Sequence, residues 1–126
     1  MKRLCIGVVL LILMLAVGIC LTAAFSGLHA PLSEKLDAAA DAAMAGNWEK
    51  ARTLTKEAEA DWHGMRRFTA AVADHEPLEE MDSLFEQLKV LAAGEDRLNF
   101  AAACAQLSEQ ATALAQSQAV TWWNLL

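Results

Sequence analysis

The stretch WEKARTLTKEAEADWHGMRRFTAAVAD, residues 48–74, decides the fold. Trp48, Ala51, Thr55, Ala58, Trp62, Met65, Thr69 and Val72 recur in alternating steps of three and four, which is one face of an amphipathic helix. Working upstream, Gly46-Asn47 stops one helix and caps the next. Before it, Leu32, Leu36, Ala39, Ala40, Ala43 and Met44 mark a helix from about Leu32 to Ala45. Downstream, Pro77 ends the pattern and opens a third helix to Ala93, where a proline is tolerated in the first turn. Its buried face reads Leu78, Met81, Leu84, Phe85, Leu88 and Leu91. After Gly94 a fourth helix runs from Asp96 to Trp122, with Phe100, Cys104, Leu107, Ala111 and Leu114 as its stripe. Four helices on such short connections are antiparallel neighbours, so the expected architecture is all-α: an up-and-down bundle of two helical hairpins.

The turns repeat faintly. Ala45-Gly46-Asn47-Trp48-Glu49-Lys50-Ala51 is similar to the turn of a tetratricopeptide-type hairpin, and Ala93-Gly94-Glu95 follows it 48 residues on. That spacing exceeds the usual 34 and the wider repeat pattern is missing, which excludes a solenoid.

Further upstream, Ser26–Pro31 reads as a short linker joining the bundle, 32–126, to an apolar segment within residues 1–25. Leu4 to Phe25 are 22 residues without a charge, about 33 Å of helix and enough to cross a bilayer. A cleaved signal peptide ending near Thr22-Ala23-Ala24 and a lipoprotein signal ending at Cys20 are the competing readings. The run is long for the first, and Ile19 occupies the place where the second needs a small residue. The expectation is an uncleaved single-pass anchor in the cytoplasmic membrane. Lys2 and Arg3 keep the N-terminus cytoplasmic and leave the bundle outside.

Composition narrows the function. From Ser26 onward 8 basic residues face 16 acidic ones, net −8, so nucleic acid is not an expected partner. Only Cys104 lies beyond the apolar segment, and there is no Cys-x-x-Cys, so redox and zinc chemistry lack ligands. No phosphate loop, Gly-x-Ser-x-Gly or Ser-x-x-Lys occurs. No enzyme activity and no cofactor is expected.

Trp62, Phe68, Asp74-His75 and the terminal Asn124-Leu125-Leu126 resemble a family of short bacterial proteins classed as a domain of unknown function in spore-forming, Gram-positive-type bacteria. The resemblance implies one N-terminal membrane segment and a helical domain of this size. It brings no activity, cofactor or catalytic residue.

Three constellations remain. His75 and Glu79, with Glu76, Glu80 and Asp82, could share a face, but acidic residues in a first turn already complement the helix dipole. Arg66 and Arg67 beside His63 form a small basic patch that could meet headgroups or an acidic partner, or sit on a solvated face with Glu59 in i, i+4 pairs. Trp122 and Trp123 close an uncharged tail. After an even number of antiparallel helices that tail returns toward the membrane, so the pair is expected at the outer interface or capping the bundle. The function expected is a non-catalytic interaction module whose partners are the bilayer and another membrane protein. The alternative is a ligand carrier with Trp48, Trp62, Met65 and Phe68 lining a core pocket.

Overall fold

In the computed structural model, which describes residues 1–71 and 75–125 (side chains 21, 22, 24–30 and 118–125 excepted), the first helix, α1, runs without a break over Lys2–Met44. At 1.5 Å per residue its 43 residues span about 64 Å. The linker expected at Ser26–Pro31 and the helix start expected at Leu32 are both corrected, because the backbone is helical throughout and Pro31 lies inside α1. The reason is local. A proline removes one donor from the ladder and crowds one carbonyl four residues back, while the bonds on either side persist. From Leu32 onward, packing against two neighbours holds the helix. Lys2–Cys20 is long and apolar enough to cross a membrane, and every residue of that stretch but Gly18 is exposed.

The remaining helices are α2 (Trp48–Thr69), α3 (His75–Ala93) and α4 (Arg97–Leu125). Each packs on its neighbour in sequence and α4 closes the ring against α1, with no backbone contact across the diagonals among the described residues. This is the up-and-down bundle. Its core takes Leu32, Leu36 and Ala39 from α1, the whole α2 stripe from Trp48 to Thr69, Leu78 to Leu88 from α3 and Phe100 to Leu114 from α4. Face assignments shift at the ends of α1 and α3: Met44 is exposed, Ala42 is buried where Ala40 is only partly covered, and Ala92 is buried where Leu91 is only partly covered. Val72 lies outside the described residues.

Both top turns share one construction. After α1 the Asn47 N–H donates to the Ala42 carbonyl (2.8 Å) and the Gly46 N–H to Ala43 (3.0 Å), with Gly46 at φ +81°. After α3 the Asp96 N–H donates to Leu91 (3.1 Å) and the Glu95 N–H to Ala92 (3.3 Å), with Glu95 at φ +53°. Both are Schellman closures, which place one residue in the left-handed region. Each is followed by a capping side chain: Asn47 Oδ1 accepts from the Lys50 N–H, and Asp96 Oδ1 from the Asn99 N–H. The two hairpins therefore correspond with Gly46 on Glu95, one residue off the Gly46–Gly94 match that the sequence suggests. Trp48 and Phe100 meet edge-to-face at 5.4 Å and seal this end of the core.

Candidate functional site

The polar structure that ties the bundle together lies on α2 and α3. Trp62 is wholly buried at the centre of α2, and its indole N–H donates to Asp82 Oδ1 at 2.7 Å. A buried tryptophan needs an acceptor for that N–H, and α3 supplies one. Arg66, one turn along α2, places Nε 2.9 Å from the other oxygen of Asp82. The carboxylate is thus bridged between an indole and a guanidinium. Toward the top, the Lys89 ammonium sits 2.8 Å from both Glu59 and Glu86, and hydrogen bonds to Glu59 first and Glu86 second push its pKa up to about 12. Glu59 also faces His63 at 3.6 Å. Lys35 pairs with Asp61, tying α1 to α2, and that hydrogen bond raises the lysine pKa.

Between α2 and α3 a groove of about 630 Å³ opens beside Arg52, Thr55, Lys56, Glu59, Lys89 and Ala92. The Arg52 guanidinium donates to the Ala92 carbonyl at 2.9 Å and lies 3.5 Å from Glu95, closing the last turn of α3. Thr55 is buried against the groove, and its hydroxyl donates back to the Ala51 carbonyl. The groove carries both charges at its rim, Arg52, Lys56 and Lys89 with Glu49 and Glu59, and its lining has no nucleophile paired to a base.

The residues singled out from sequence separate in the structure. Arg66 belongs to the Asp82 bridge, whereas Arg67 is exposed. Trp48, Trp62 and Met65 are packed in the core and Phe68 points outward, so these four do not line one pocket. The side chains of Trp122 and Trp123 lie outside the described residues. Among the described residues no three His, Cys, Asp or Glu side chains converge as a metal site. Cys104 is buried, and burial, followed by the charge of Asp37, pushes its thiol up to about 12, so it stays protonated and unreactive. Sequence reasoning missed Lys89, and it placed Asp82 among the acidic residues near His75 without seeing it as the acceptor for Trp62. The available signal was Trp62, whose buried N–H required an acceptor on a neighbouring helix.

One family model, described as a domain of unknown function (DUF4363), matches residues 22–125. The chain belongs to the DUF4363 family. The matched span starts within the apolar segment and takes in the C-terminal half of α1 and the rest of the bundle, so the helical stretch through Pro31 lies within the match. No curated protein and no solved structure matches the chain.

Proposed function

We propose that this DUF4363 protein is a single-pass, membrane-anchored interaction module, with its N-terminus cytoplasmic, its bundle outside, and a second membrane protein as its partner. The observation that carries this reading is where apolar surface is left uncovered. The first is the segment Lys2–Cys20. The second is the end of the bundle farthest from that segment, where Met44 (48%), Val90 (72%) and Leu98 (74%) are exposed at the end of α1, the end of α3 and the start of α4. Three large apolar side chains left in water at one end of the bundle suit a protein contact. Membranes carrying a photo-crosslinker at Leu98 should give a discrete adduct with one membrane protein, and a crosslinker at exposed Thr53 should not. Identical adduct patterns from the two positions would defeat the reading.

A second reading, small-ligand carriage, is supported by the α2–α3 groove, whose volume falls in the range of ligand pockets. On that reading the ligand lies against Thr55 and Ala92 rather than in the core. Arg52→Ala and Thr55→Leu should then weaken any ligand found by fluorescence titration.

A further inference from the structure

We propose that the α2–α3 end of the bundle rests in the headgroup layer of the bilayer that α1 crosses, with the Phe68 ring and the Arg67 guanidinium as its contacts; this rests on the membrane-anchored reading above. Because α1 is one helix, it serves as a ruler from the apolar segment into the bundle. Lys35 on α1 pairs with Asp61 on antiparallel α2. Seven residues farther along α2 stands Phe68, level with residue 28 of α1. That level is three residues, about 4.5 Å, past the end of the apolar run at Phe25, and Arg67 is one residue higher. The polar layer on each side of a bilayer's hydrocarbon core is about 5–7 Å deep. Both side chains therefore fall within it.

The side chains suit that layer. Phe68 is 72% exposed, and the other large exposed apolar side chains of the described bundle, Met44, Val90 and Leu98, are at its opposite end. An aromatic ring buries apolar area at the boundary of headgroup and acyl chain. Arg67 is exposed beside it, and its long stem lets the guanidinium reach a phosphate. The same end carries His75, Glu76, Glu79 and Glu80 on α3, so it is not a net-positive face. The contact is local, one ring and one guanidinium, and needs no anionic lipid.

The full chain, with Cys5→Ser, Cys20→Ser and Cys104→Ala, would be spin-labelled singly at Ile12→Cys, Phe68→Cys or Val90→Cys and reconstituted in phosphatidylcholine vesicles. Oxygen and a water-soluble nickel chelate would then probe each label. The expected pattern is a label at 12 exposed to oxygen and closed to chelate, and a label at 68 several-fold less accessible to chelate than one at 90. Adding Arg67→Glu should raise chelate access at 68 several-fold. If 12 is in lipid but 68 behaves like 90, or if Arg67→Glu changes nothing, the bundle stands clear of the headgroups and this proposal is overturned while the anchor remains. If 12 is itself open to chelate, the anchor and the headgroup contact fall together.

Discussion

Trp62→Phe is the perturbation that most directly tests how the bundle is held together. The substitution keeps an aromatic ring at a fully buried site and removes the N–H that donates to Asp82 at 2.7 Å. A hydrogen bond to a charged acceptor contributes roughly 1.5–3 kcal/mol. The volume left by the smaller ring adds about 1 kcal/mol, since a close-packed core relaxes only in part. Asp82 keeps Arg66, so the carboxylate is not left unpaired, and the Asp82–Arg66 pair, about one-third exposed, contributes little by itself. Together these give roughly 2.5–4 kcal/mol, a drop in midpoint of at least about 10 °C for a domain near 100 residues. Thermal unfolding of the full chain in detergent micelles, followed by far-UV circular dichroism, reads this directly. Repeating the substitution in an Asp82→Ala background separates the hydrogen bond from the ring: the coupling between the two sites should be about 1–2 kcal/mol. An equal loss in both backgrounds would show that the indole N–H is not held by Asp82. A midpoint unmoved by Trp62→Phe would show that the ring does not fill the core.

Four further outcomes are expected. Glu95→Gly should raise stability by about 0.5–1 kcal/mol in urea titration, because Glu95 sits at φ +53° where a side chain is strained, and its exposed Arg52 pair returns little. Asn47→Ala should cost about 0.5–2 kcal/mol by removing the acceptor for the Lys50 N–H, and Asn47→Asp should restore most of it. Lys89 has a folded pKa of about 12 against 10.5, so its contribution is fully present below 10.5 and is lost as pH rises through 12; Lys89→Met should flatten the stability profile over that window. Cys104 should resist alkylation at pH 8 in the folded chain and react once urea unfolds it, as mass spectrometry after digestion would show.

The α2 stripe was fully legible because each of its described members, from Trp48 to Thr69, is buried on one side only, so helical periodicity carried the information. The bundle order was legible for a related reason: connections of three to five residues leave an antiparallel neighbour as the default arrangement. What misled was punctuation. Ser26-Gly27 and Pro31 look like a linker, yet one missing donor does not end a helix that is packed downstream. Gly94 looks like the counterpart of Gly46, but a Schellman closure is defined by its hydrogen bonds, and here Glu95 takes the left-handed position. The Asp82 bridge was hidden for another reason. Contacts between helices depend on rotation about each axis, and periodicity locates a stripe without saying which flanking carboxylate meets which indole.

The lengths of the helices constrain how the bundle meets the apolar segment. Gly46 lies against Arg97 at the top, a Cβ there coming 3.1 Å from the guanidinium, so antiparallel α4 descends α1 from that level. Its last residue, Leu125, is 28 residues on and comes level with Gly18. By the Lys35–Asp61 register α2 stops level with residue 27, so α4 reaches about 13 Å lower than α2 along the shared axis. Charge agrees: no residue after Glu109 is ionisable, whereas α2 and α3 carry charges through their final and first turns. A helix that runs beside an apolar segment and must leave water can afford no charge along that length. On the membrane-anchored reading, the two short helices therefore end at the headgroups and the longer α4 continues into the outer leaflet beside α1. The chain then enters the bilayer as a pair of helices on that side, and as a single helix only in the stretch before Gly18.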